Sequence, residues 1–199
     1  MHGVTVPLVL VAHGSRDDAA HACVEEIVDA VRGALPGTDV RLGYVDVRGP
    51  KVADAVAGLD RAVVVPAFLA SGYHVRSDLP AQLAECAAPP DRFPVTPVIG
   101  PDPLLARAAG ARLVEAGWRS GGAGEQRVGF VATATPRMDA VVADLRAAGE
   151  RRVAVASWLL APGVFHARLG ELGADVVAAP LGAHHDVVAT VVARYRTAA

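Results

Sequence analysis

The sequence is nearly empty of lysine and poor in cysteine. Lys51 is its single lysine, so the 19 basic residues are otherwise all arginine, set against 21 acidic ones for a formal net charge of −2. No basic run or stripe stands out, which argues against a nucleic-acid partner. The two cysteines, Cys23 and Cys86, lie far apart in segments that read as helix. Free buried thiols suit a reducing compartment, so the cytoplasm is the expected location. There is also no long apolar run. Val4 to Ala12 lacks a basic leader and stops at His13-Gly14, so it reads as a strand and not as a signal peptide or membrane span. What is present is a 199-residue chain that is 52% hydrophobic, enough for one large core or two small ones.

The apolar segments alternate between two kinds. Leu8 to Ala12 is apolar without alternation, as in a strand buried on both faces, and a glycine turn and a helix follow it. Ser15 is the expected cap of that helix, with Asp18 completing a capping box and Ala20, Cys23, Val24, Ile27 and Val31 forming the apolar stripe up to Pro36-Gly37. The same pattern predicts strands over 40–47 and 62–69 and a helix over 50–59. Another helix is entered through Ser77, Asp78 and Pro80, and a further one opens at Asp102-Pro103. The first half is therefore a series of βα units, an α/β fold on a parallel sheet.

The stretch 118–127 contains Gly-Gly-Ala-Gly and breaks the apolar pattern, so it is the expected linker between a lobe over 1–117 and a second over 128–199. Three segments of the second lobe echo the first in the same order. Val128 to Ala132 matches Leu8 to Ala12, Val153 to Gly163 matches Val63 to Gly72, and Pro180-Leu-Gly182 matches Pro97 to Gly100. An internal duplication follows, with the second copy abbreviated by about one βα unit.

Ligands of open parallel sheets bind at the carboxyl ends of the strands. Three polar segments fall there: Ala12-His13-Gly14-Ser15-Arg16, Tyr44-Val45-Asp46-Val47-Arg48, and Ser71-Gly72-Tyr73-His74-Val75-Arg76. Two imidazoles and a carboxylate, His13, His74 and Asp46, form a ligand set suited to a divalent first-row metal such as Co²⁺, Fe²⁺ or Ni²⁺. Arg16, Arg48 and Arg76 flank it, and arginine forks bind carboxylates, so the expected ligand is acidic. Ser15 and Tyr73 complete the candidate substrate-binding set. His2 and His21 read as surface residues, while His166, His184 and His185 have no assigned role. Phe68 and Trp158 read first as core aromatics, since both sit in apolar strands, and otherwise, with Tyr73, as walls of a ligand cleft.

Taken together, Val-Ala-His13-Gly-Ser-Arg-Asp, Tyr-Val-Asp46, Pro-Ala-Phe-Leu-Ala-Ser-Gly-Tyr-His74-Val-Arg-Ser-Asp-Leu-Pro and Gly100-Pro-Asp-Pro-Leu resemble the sirohydrochlorin and cobalt-chelatase family of class II tetrapyrrole chelatases. The resemblance covers nearly all of the first half and, more faintly, the second. It implies two flavodoxin-like lobes facing each other across a cleft, and a lyase that inserts Co²⁺ or Fe²⁺ into a sirohydrochlorin-type tetrapyrrole for sirohaem or cobalamin synthesis. The metal is then a substrate, no organic cofactor is needed, and the chain works as a monomer or homodimer. The family's metal-handling histidines fall on His13 and His74, which would both ligate the ion and accept protons. Asp46 stands where the family more often has Glu. In the second half Thr133 replaces the partner of His13, and Val164-Phe165 replace Tyr73-His74, implying one site per chain. Two other readings of the same residues are a non-catalytic metal or tetrapyrrole carrier and a phosphate-handling hydrolase built on His13-Gly14 and Arg16.

Overall fold

The computed structural model describes residues 5–86, 89, 91–119 and 125–199. Three strands, β1 (Leu8–Ala12), β2 (Val40–Tyr44) and β3 (Val63–Pro66), form a parallel sheet in the order β2-β1-β3. β1 is buried at every residue, which is why it shows no alternation. Its register places Leu8 beside both Val40 and Val63, and a parallel bridge from Val64 to Val95 extends the sheet beyond β3. The helices of this lobe are α1 (Asp18–Ala34), α2 (Val52–Val56), α3 (Leu79–Glu85) and α4 (Pro103–Glu115).

The expected boundaries move at functionally placed loops. α1 begins at Asp18, not at Ser15, because the Asp17 carboxylate caps it by accepting from the Ala19 N–H at 2.9 Å. The Ser15 hydroxyl instead accepts from the Asp17 N–H at 3.1 Å. β2 stops at Tyr44, since the chain turns sharply at Val47, which has a φ of 57°. Asp102 caps α4 as expected, accepting from the Leu104 N–H at 3.0 Å.

The second half holds α5 (Met138–Ala147), β4 (Ala154–Val155), α6 (Val164–Gly170), β5 (Val176–Val177) and α7 (His185–Arg196). Its sheet is a parallel pair of two-residue strands, Ala154 beside Val176. The expected strand at Val128 to Ala132 is reduced to a single bridge between Phe130 and Arg137. Of the expected linker, residues 120–124 lie outside the described residues.

α7 crosses back to the first lobe. Val187, Val188, Val191, Val192 and Tyr195 share one core with Leu8, Leu10, Val63, Val65, Ile99 and Leu105. The Tyr195 hydroxyl donates to the Val6 carbonyl at 2.6 Å, and Arg112 of α4 donates to the Leu181 carbonyl at 2.9 Å. The sequence grouped this helix with the second lobe, but its wide apolar face finds the larger sheet. Burying each valine contributes about 1.5–3 kcal/mol as an upper bound. Among the described residues, no helix is long and apolar enough to cross a membrane, and both cysteines are free.

Candidate active site

His13 follows the last residue of β1, and Gly14 turns the chain with a φ of +97°. A Cβ added at Gly14 would lie 2.2 Å from the Asp46 carbonyl oxygen, so only glycine lets the β1 and β2 loops close on each other. The Asp46 N–H donates to the His13 carbonyl at 3.0 Å, locking the backbone of the two loops together. On the other side of β1, residues 74–78 form one wide π-type turn, in which the Leu79 N–H bonds the His74 carbonyl. Such turns recur at functional sites because they project side chains off the regular helical face.

These loops bring the two histidines together across 61 residues of sequence. His13 Nε2 and His74 Nε2 lie 3.0 Å apart, with the rings edge to face at 85°. The partners of the other ring nitrogens fix both tautomers. His13 Nδ1 bonds the Gly14 carbonyl at 2.9 Å and His74 Nδ1 bonds the Asp78 carboxylate at 2.5 Å. Each of those oxygens only accepts, so each Nδ1 carries the hydrogen and each Nε2 presents its lone pair. Two lone pairs at this distance repel unless something positive lies between them, either a shared proton or a metal ion. Bonds of about 2.0–2.1 Å from imidazole nitrogen to a divalent metal across the 3.0 Å separation give an N–metal–N angle of roughly 90–97°. The pair therefore has the bite of two adjacent coordination positions.

The remaining expected site residues divide. Asp46 is not drawn into the pair: its carboxylate accepts from its own Val47 N–H at 2.7 Å, and His13, His74 and Asp46 do not form a set of ligand atoms within 4.8 Å of one another. Arg48 is also diverted, donating to Asp18 at 2.7 Å and holding that carboxyl below the usual carboxylate range. Arg16 and Arg76 are exposed near the histidine pair. Tyr73, 70% exposed, sets its ring edge-on to His74 with centroids 6.1 Å apart.

His13 and Ser15 line a cleft of ≈ 490 Å³ between the β1 and β3 ends and the second-half segment Trp158 to His166. Its walls are largely apolar. Phe68 and Trp158, read from the sequence first as core residues, face this cleft, and Trp158 and Phe165 are 39% and 46% exposed. His21, Tyr44 and His166 also line it, although the sequence placed His21 on the surface. For Tyr44 a usable signal existed, since it is the last residue of a strand feeding the site. For His166 the repeat offered one, placing it one residue past the counterpart of His74, but for His21 none existed, because its position depends on how a helix packs.

The other histidine cluster has a different character. His184, His185 and Asp186 lie within ligand distance of one another at the start of α7, but both oxygens of the Asp186 carboxylate are held by Arg107, which donates from Nε and Nη2. His184 Nδ1 caps the helix by accepting from the Asp186 N–H at 3.2 Å. These contacts account for the cluster as a helix cap and an anchor between α4 and α7.

Comparison with known proteins places the chain in a family. The family model described as CbiX matches the chain twice, over residues 7–116 and 109–198. A sirohydrochlorin cobaltochelatase from Methanopyrus kandleri is 39% identical over 83 residues, covering 39% of this chain and 58% of that protein. Another from Methanococcoides burtonii is 30% identical over 80 residues, covering 38% and 61%. The match thus spans about three fifths of each relative's length. Among solved structures, the sirohydrochlorin chelatase SirB from Bacillus subtilis subspecies spizizenii, in complex with cobalt, superposes with a TM-score of 0.76 at 16% identity, covering 97% of this chain and 94% of that one. SirB from Bacillus subtilis with Fe³⁺ gives 0.76 at 17% identity, covering 97% and 95%. At these identities the superposition speaks for the fold.

Proposed function

Because this chain belongs to the CbiX family, matched over both of its halves, we propose that it is a chelatase inserting a divalent metal, Co²⁺ or Fe²⁺, into a sirohydrochlorin-type tetrapyrrole. The observation that carries the reading is the pair of Nε2 atoms 3.0 Å apart at the edge of an apolar cleft. The names of the relatives, sirohydrochlorin cobaltochelatases and cobalt- or iron-bound SirB, support the choice of substrate and metals. The phosphate-hydrolase reading is disfavoured, because His13 meets a second imidazole where an anion would need donors.

In this reading His13 and His74 hold the incoming ion on adjacent positions and deliver it to one face of the macrocycle, and Asp78 keeps the His74 ring in the ligating tautomer. Phe68, Trp158 and Phe165 cover the macrocycle, with Tyr73 at the rim and Ser15 at the cleft wall. Arg16 and Arg76 orient the peripheral carboxylates. Arg48 is left out of that role by its bond to Asp18. Asp46 serves as a third ligand or base once the metal draws its loop inward, so Asp46→Asn should slow insertion without unfolding the protein. The residues 1–117 carry the chemistry and 128–184 wall the cleft. The reaction needs no organic cofactor, and the two free thiols suit the cytoplasm.

The test is anaerobic absorbance spectroscopy of sirohydrochlorin with Co²⁺, Fe²⁺ or Ni²⁺, comparing the protein, its His74→Ala variant and a protein-free control. Faster insertion that depends on His74 is the expected result. Tight binding of metal or tetrapyrrole with no acceleration would make the protein a carrier and overturn the enzymatic reading.

A further inference from the structure

Metal insertion breaks two pyrrole N–H bonds as the nitrogen–metal bonds form, so two protons must leave the cleft for each ion delivered. In the chelatase reading, on which this inference rests, His13 and His74 are not free to take them while they hold the ion. Both Nδ1 atoms already donate to oxygens, and the Nε2 lone pairs are spent on the ion. Among the described residues, the other titratable side chains lining the cleft are His21, Tyr44 and His166. His166 bonds the Ala178 carbonyl through Nε2 at 3.1 Å, which gives a proton no onward acceptor.

Tyr44 and His21 differ in having an exit. The Tyr44 hydroxyl lies 2.5 Å from His21 Nδ1, and His21 Nε2 lies 3.3 Å from Glu25 Oε1. Tyr44 is 1% exposed while Glu25 is 58% exposed at its side chain, so the chain of contacts runs from the interior to solvent. His21 also borders two hollows at once: the cleft on one side and, on the other, an outer depression lined by Glu25, Asp29, Arg32 and Arg41.

We propose that Tyr44, His21 and Glu25 form a proton exit through the wall of the cleft. The Glu25 carboxylate accepts only, so His21 Nε2 carries its hydrogen and Nδ1 is free to accept from the Tyr44 hydroxyl. A pyrrole proton moves to the Tyr44 oxygen as the tyrosine's own proton passes to His21 Nδ1. The Nε2 hydrogen then leaves to Glu25 and on to water in the outer hollow. The starting arrangement returns for the second proton when the half-buried ring turns toward the outer hollow, where water takes the Nδ1 hydrogen and gives one back to Nε2. Tyr44 takes one proton as it gives up another, so it passes protons without becoming a tyrosinate. Beyond these groups, Asp18 on the first turn of α1 also senses the His21 charge.

The experiment measures single-turnover insertion of Co²⁺ into sirohydrochlorin for the wild-type protein and for His21→Gln, His21→Gly, Tyr44→Phe, Glu25→Gln and His166→Gln. The expected result is a fall of about a hundredfold in the insertion rate for the His21 and Tyr44 variants, with Co²⁺ affinity and the half-saturating sirohydrochlorin concentration unchanged. Added imidazole should restore much of the rate to His21→Gly alone. Unaltered rates in the His21 and Tyr44 variants of an active wild type would overturn the exit. So would losses in affinity without rescue, which mark a structural role, or a loss confined to His166→Gln. A wild-type protein that fails to accelerate insertion would instead refute the chelatase reading itself.

Discussion

Removing the charge that steadies His74, without touching the metal-facing nitrogen, isolates the part the protein adds to two bare imidazoles. Asp78 sits 2.5 Å from His74 Nδ1 within the same π-type turn, and both side chains are about one third exposed. Such a carboxylate raises the electron density of the ligating nitrogen and holds the ring, and losing it typically costs 10–100-fold in metal affinity or activity. Asp78→Asn keeps an oxygen that can accept from Nδ1 and removes only the charge, so it should fall near the lower figure, about tenfold or ~1.4 kcal/mol. Asp78→Ala also frees the ring, lets the Nε2–Nε2 separation drift from 3.0 Å, and should approach a hundredfold, ~2.7 kcal/mol. Competition with a chromophoric chelator for Co²⁺ under anaerobic conditions reads both affinities directly, with no tetrapyrrole present. Wild-type affinity in Asp78→Ala, or a larger loss in Asn than in Ala, would refute the idea that His74 is held and tuned through Nδ1.

Four further outcomes test other parts of the structure. Gly14→Ala, whose Cβ would press within 2.2 Å of the Asp46 carbonyl at a φ of +97°, should part the two loops and abolish insertion, and Co²⁺ affinity near that of wild type would contradict the interlock. Leu105→Ala, at a side chain with 0% exposure between β-sheet and α7, should cost about 2–5 kcal/mol in urea unfolding. Burial, aided by the neighbouring His185, holds His184 below its ordinary pKa of 6.5, so the unfolded chain binds the extra proton first and stability should drop as pH falls below that value. His184→Asn keeps a cap acceptor and should flatten this part of the stability profile; an unchanged profile would absolve His184. Finally, sirohydrochlorin affinity should fall with added salt, and less steeply in Arg16→Gln/Arg76→Gln, because exposed guanidinium contacts are screened; a salt-independent affinity would remove both arginines from the site.

Much of the first lobe was legible because its signals are local. β1 declares itself by five successive apolar residues that are all buried, and α4 by the Asp102-Pro103 start, where the cap forms as expected. The strand-end rule was enough to single out His13 and His74, whose contact spans 61 residues and could not be read from spacing. It was too coarse for their neighbours. Asp46 and Arg48 also sit at a strand end, yet one is captured by the next backbone N–H and the other by Asp18, competitions decided within a few ångströms. Phe68 and Trp158 stayed open between core and cleft wall for a related reason: an apolar residue facing an apolar cleft has the same sequence pattern as one facing a core. The second lobe was less legible still. Its repeat is visible in order, but strands of two residues leave too little periodicity to set their ends, and nothing in the pattern of α7 says which of two sheets its apolar face will cover.

That placement of α7 bears on how the molecule comes to exist. The face of the β2-β1-β3 sheet that α7 covers includes Leu8 and Leu10, which precede that helix by more than 170 residues. That core also takes Ile27 and Val31 of α1 and Leu105 of α4, but it is complete only once α7 is in place, and an incomplete core of this kind draws chaperones and invites aggregation. Cutting the sequence between its two halves would therefore take α7 with the second and lay open the core of the first.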